Sequence, residues 1–112
     1  MISIALATAL YVSAAQSGPS PVPRKNYSAC LVRFSKEKAE AKLDVDSFKT
    51  AAKAACASEE AIFKKSVVDH DVKMGIRRAE AEEGADLQIE DYLINTADNY
   101  QVLYGDRPAP QG

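Results

Sequence analysis

Residues 26–60 read NYSACLVRFSKEKAEAKLDVDSFKTAAKAACASEE, and the arrangement of this stretch decides the fold. It has no proline or glycine, and Ala, Lys and Glu dominate it, which is a helix composition. Asn26 and Ser28 are both good N-caps, so a first helix is predicted from there to about Ala41, with Tyr27, Leu31 and Phe34 on one side. A second is predicted from Asp44 or Asp46. There Val45, Phe48, Ala52 and Ala55 recur at spacings of three and four and turn one face inward. Two helices joined by a short turn near Leu43 run antiparallel, and residues equidistant from the turn then lie side by side. Cys30 and Cys56 are such a pair. By the same register Phe34 comes opposite Ala52 and Leu31 opposite Ala55, large against small.

Whether the two cysteines bond depends on compartment. From Ile2 to Ala15 no side chain is charged, and the run closes in small residues, with Ser13 and Ala15 or Val12 and Ala14 at the two key positions of a cleavage site. The run falls short of the roughly 20 residues that span a bilayer. It therefore reads as a signal peptide over 1–15, although no Lys or Arg precedes it, and no membrane span is expected after cleavage. The expected address is periplasmic or secreted. In an exported chain two cysteines are most simply one bridge, Cys30 to Cys56, and closing this loop is worth roughly 3.5 kcal/mol on the chain-entropy model. Residues 16–25 carry Pro19, Pro21 and Pro23 among small polar residues and read as an extended tether. Pro108 and Pro110 mark 105–112 as a disordered tail, leaving 26–104 as one helical domain.

The 14 basic and 16 acidic residues give a net charge of -2 with both signs interleaved along the chain, which carries no electrostatic footprint for nucleic acid. Tryptophan is absent and other aromatics are few. The core is accordingly expected from Ala, Val, Leu and Ile, with isolated Phe and Tyr, in closely packed helices.

Ser58, followed by Glu59 and Glu60, is the expected N-cap of a third helix. From there to Tyr104 the pattern stays helical, too long for one ordinary globular helix. Gly75 and Gly84 compete as the break. Lys73 before Gly75 and Ile76 after it suit a glycine C-cap, so the bend is placed at Gly75. The rival reading is an unbroken coiled-coil-like helix with Val67, Met74 and Ala81 repeating every seven residues. The fold class is all-α, a disulfide-linked helical hairpin followed by one long bent helix or two further helices. With hairpin helices only about 17 to 21 Å long, a straight third helix overhangs them. Leu87, Ile89, Tyr92, Leu93, Ile94, Tyr100 and Leu103 are then an apolar interaction surface, covered by folding back or by a second subunit. The expectation leans to a homodimer.

Candidate chemistry is sparse. His70 lies between Asp69 and Asp71 with Met74 one turn on, a weak soft-metal pair that reads more simply as a partly exposed histidine beside a core methionine. Glu82, Asp86 and Glu90 share one helix surface, but a straight face splays carboxylates into water, whereas calcium needs converging loop oxygens. Tyr92, Tyr100 and Tyr104 read as core or interface residues before they read as a binding strip. Asn26-Tyr27-Ser28 fits the glycosylation acceptor pattern, with N-capping the simpler role. No nucleophile with a base, no paired acid and base and no glycine-rich phosphate loop is present, so neither an enzyme nor a cofactor is expected.

Tyr27-Ser28-Ala29-Cys30-Leu31, then Ala55-Cys56-Ala57-Ser58-Glu59-Glu60, then Asp91-Tyr92 with Asn95, resembles the layout of small exported bacterial proteins that carry no assigned function. The resemblance covers most of 26–104 and implies a disulfide-linked helical domain and a bacterial envelope address. It implies no catalytic residue. The expected function is a non-catalytic exported interaction module, meeting itself or an envelope protein. A periplasmic stress holdase and a weak metal-binding protein are the alternatives.

Overall fold

Ser20 opens the first helix, α1 (Pro21–Glu40), by accepting a hydrogen bond from the Val22 amide at 3.4 Å. This start lies inside the expected tether, and neither Asn26 nor Ser28 is an N-cap. The prolines explain the difference. Pro21 sits at the first helical position and Pro23 is still in the first turn, where amides have no intrahelical partner and a fixed φ suits the helix. The computed structural model describes residues 18–105. The signal segment 1–15, the first residues of the expected tether and the tail beyond Gly105 lie outside the described residues.

α1 ends in a Schellman motif. The Lys42 amide donates to the Ala39 carbonyl at 3.1 Å and the Leu43 amide to the Lys38 carbonyl at 2.9 Å, with Lys42 left-handed at φ 57°. Asp44 then caps α2 (Val45–Ala55) by accepting from the Ser47 amide at 2.8 Å. That hydrogen bond also holds the Asp44 carboxyl below its ordinary pKa.

Only Cys56 separates α2 from α3 (Ala57–Lys73), so the two form one bent rod. Helical bonding runs through the bend, from the Cys56 amide to the Ala52 carbonyl at 3.0 Å and from the Glu60 amide to the Cys56 carbonyl at 2.9 Å. Ser58 is therefore inside the helix rather than at its cap, because α2 never ends in a loop that would need one. Cys56 takes the cap position, with φ -105° and ψ 21°, away from helical values.

α3 ends where Gly75 places the break. Gly75 has φ 98°, its amide donates to the Val72 carbonyl at 3.1 Å, and the Ile76 amide donates to the Asp71 carbonyl at 2.9 Å, a second Schellman motif. The chain turns, and α4 (Arg78–Tyr100) returns along the rod before widening into a π-helical turn over Gln101–Gly105. An unbroken coiled coil is excluded, and Gly84 lies within α4. The all-α fold is thus a disulfide-linked hairpin followed by two further helices.

Ring contacts fix how the helices run. Tyr27 stacks on Phe63 with centroids 5.7 Å apart and meets the edge of Tyr92 at 5.9 Å. Phe48 stacks on Tyr100 at 4.1 Å and packs on Phe34 at 5.6 Å. Both α1 and α4 therefore run antiparallel to the α2–α3 rod and parallel to each other. At the standard rise the rod covers about 22 Å between Phe48 and Phe63, against about 10 Å on α1 and about 12 Å on α4 between the matching rings. The bend at Cys56 reconciles these lengths.

The expectation of isolated aromatics is corrected here. Tyr27, Phe63 and Tyr92 form one cluster; Phe34, Phe48, Tyr100 and Tyr104 form the other. Between them along the helices lie buried Cys30, Leu31, Ala52, Cys56 and Leu93. Val67 and Val68 are buried with Ala81 and Ala85, small residues that let α3 and α4 approach. Full burial of a Leu- or Phe-sized side chain is worth about 1.5–3 kcal/mol, whereas ion pairs such as Lys64–Asp86 lie in solvent, where screening leaves them little net effect. Packing, then, holds this fold.

Candidate interaction surface

The residues expected to form one apolar surface are divided by the fold. Ile89, Leu93 and Tyr100 are buried in the core and Tyr92 is half-buried in its ring cluster, whereas Leu87, Ile94 and Leu103 face solvent. The turn at Gly75 folds α4 back, and α1 is about 30 Å long, longer than the expected hairpin helix. α1 and the rod together cover the inner face of α4. The overhang that suggested a second subunit is filled from within.

Two buried hydroxyls tie the elements together. The Tyr100 hydroxyl donates to the Leu43 carbonyl and lies 3.2 Å from that of Lys38, so it ties α4 to the turn that closes α1. Tyr27 donates to Glu60 Oε1 at 3.4 Å, and Lys53 reaches the same oxygen at 2.9 Å across the bend. Burial, reinforced by the Glu60 charge, pushes the Tyr27 hydroxyl far above its ordinary pKa; burial raises Tyr100 as well, helped by the Asp44 charge.

The metal candidates do not converge. His70 is half-buried near the end of α3, while Met74 is 65% exposed at its C-cap, so Met74 is not the expected core methionine. On the acidic surface of α4, Asp86 pairs with Lys64 at 2.8 Å and Glu90 with Lys49, while Glu82 is exposed. Among the described residues, the one group of three metal-ligating side chains close enough to share an ion is Cys30, Cys56 and Glu59. Its two sulfurs are bonded to each other in a disulfide with Cα atoms 6.0 Å apart, so neither is a thiolate ligand. Asn26 and Ser28 are helical residues of α1, with Ser20 as the cap. Among the described residues no helix is long and apolar enough to cross a membrane.

What remains is the seam between α1 and the C-terminal half of α4. A groove of about 180 Å³ opens there, lined by Val32, Lys36, Thr96, Asn99, Leu103 and Tyr104 among others. Val32 is 51%, Leu103 54% and Tyr104 38% exposed, a cluster of apolar side chains from two helices on one surface. The charges beside it are segregated. α1 carries Arg24, Lys25, Arg33, Lys36 and Lys38 against Glu37 and Glu40, and α4 carries Arg78 against seven acids. The chain-wide reading averaged this out, because α1 and α4 are far apart in sequence and only the fold lays them side by side. Counting charge helix by helix is the signal that finds it.

Compared with protein-family models, with curated proteins and with solved structures, the chain matches none.

Proposed function

We propose that this chain is a non-catalytic, exported helical interaction module whose binding surface is the α1–α4 seam. The observation that carries this is the outward cluster of Val32, Leu103 and Tyr104 around the groove, held on a scaffold whose two cysteines are bonded to each other and whose Tyr27 and Tyr100 hydroxyls are hydrogen-bonded across elements. The disulfide supports export, since such bonds persist in oxidising compartments. The surface differs from the one expected from sequence: Leu103 is common to both, and Val32 and Tyr104 replace the residues that went into the core.

A photo-crosslinking residue placed at Leu103, which is exposed and away from the core, tests the reading in the native host. Adducts are expected at Leu103 and not at an exposed control position on the opposite face, such as Lys65. Equal labelling at both positions, or none at Leu103, overturns it.

A further inference from the structure

On α1, Lys25, Ala29, Val32 and Lys36 succeed one another at steps of four, three and four, so they form one stripe along the helix, and all four are exposed. On α4, Asp91, Asn95, Asp98 and Val102 repeat the same steps, again exposed, the last in the π-helical turn. Both stripes lie on the side away from the α2–α3 rod. The inward faces of α1 and α4 carry Tyr27 and Phe34, and Ile89, Leu93 and Tyr100, while Lys49 and Lys64 of the rod reach Glu90 and Asp86 on another flank of α4.

The two stripes are in register. Tyr27 lies against Tyr92, and the Tyr100 hydroxyl lies against the Lys38 carbonyl. In these parallel helices Lys25 is thus level with Asp91, and Lys36 is close to the level of Asp98. A basic stripe and an acidic stripe run side by side. The ion pairs among the described residues are Lys49–Glu90, Lys53–Glu60, Lys64–Asp86, Lys65–Asp69 and Arg77–Glu80. None involves Lys25, Arg33, Lys36, Asp91 or Asp98. Lys49 and Lys64 of the rod are thus matched across to α4, whereas the charges of the two outward stripes are in none of these ion pairs.

Resting on the reading of the seam as a binding surface, we propose that its occupant is a second copy of this chain, related by a two-fold axis parallel to α1 and α4. Such an axis lays the α1 stripe of one copy over the α4 stripe of the other, twice. Lys25 meets Asp91 of the second copy and Lys36 meets Asp98, with Ala29, Val32 and Asn95 as the neutral centre between them. A two-fold axis across the helices sets lysines against lysines and is disfavoured. The contact is isologous and closes as a dimer. It owes nothing to the apolar face of α4 that is buried in the monomer.

The test is charge reversal read by sedimentation velocity on the full chain at low and high salt. The wild type is expected to dimerise, more weakly as salt rises. K25E/K36E and D91K/D98K are each expected to weaken the dimer by roughly tenfold or more, since each sets like charges face to face. Mixing the two variants is expected to restore association, because each α1 then faces an α4 of opposite charge. All four sites are exposed on helices, and circular dichroism checks that each variant is folded; K25Q/K36Q, which weakens without reversing, serves if a reversal variant unfolds. A wild-type monomer at every concentration, or a dimer indifferent to both variants, overturns the proposal. If the Leu103 crosslink then captures a different protein, the interaction-module reading survives while the second copy does not.

Discussion

Tyr27 and Tyr100 each place a hydroxyl inside the helical core, and each hydroxyl is held by an oxygen of another element. Their raised pKa values couple folding to alkaline pH. Below about pH 10, the ordinary tyrosine value, both hydroxyls are protonated in the folded and unfolded chain alike, and their contribution to stability is fully present. As pH rises past that value the unfolded chain releases protons that the folded chain keeps, so stability falls toward the folded-state pKa values. The urea midpoint is expected to decline from about pH 10 upward. The decline should be shallower in Tyr27→Phe and shallowest in Tyr27→Phe/Tyr100→Phe; an unchanged slope in the double variant refutes the coupling. At this scale the cysteine pairing was legible because an antiparallel register depends only on where the turn falls. The ring partners were less so. Phe34 meets the ring of Phe48, one turn from Ala52, because an aromatic side chain reaches past the residue directly opposite.

The elements divide by how they end. Both Schellman turns are local, written in a few residues, and Gly75 was readable for that reason. Only the glycine position separates it from Gly84, and the two make opposite predictions. Gly75 has φ 98°, so Gly75→Ala is expected to destabilise the protein by about 1–2 kcal/mol. Gly84 is inside α4 with open space where a Cβ would stand, so Gly84→Ala is expected to stabilise by up to about 1 kcal/mol. Urea titrations of the two variants check this, and the reverse order would place the turn elsewhere. The start of α1 was not readable, because prolines spaced as Pro19, Pro21 and Pro23 suit an extended tether and a helix's first turn equally well. What selects the helix is tertiary: Tyr27, packed on Phe63 and Tyr92, makes continuing the helix back to Ser20 worthwhile. The bend at Cys56 was hidden too, since Ser58-Glu59-Glu60 has the composition of a helix start whether or not the preceding helix has stopped.

Over the whole molecule, the disulfide has a part that the hairpin picture did not contain. Cys30 is in the middle of α1, between its two ring-bearing turns, and Cys56 is the bend of the rod. The bond therefore joins α1, which like α4 carries a ring in each aromatic cluster, to the one residue that lies between α2 and α3. The rod must bend there for Phe48 and Phe63 both to reach α1. Severing the bond removes the loop constraint over a sequence separation of 26 residues, worth roughly 3.5 kcal/mol on the chain-entropy model, a large share of a small domain's stability. Both sulfurs are buried, so a reductant reaches them only when the chain opens. Two measurements follow. Cys30→Ala/Cys56→Ala is expected to unfold at a urea concentration lower by an amount equivalent to about 3–4 kcal/mol. Loss of the bond in dithiothreitol is expected to be slow in buffer and to accelerate in sub-denaturing urea, in step with global unfolding. If α1 opens before the rest, reduction outpaces global unfolding and amide exchange in α1 exceeds that in α3 and α4. In that case the bridge clamps a separable helix, and the domain does not open as one cooperative unit.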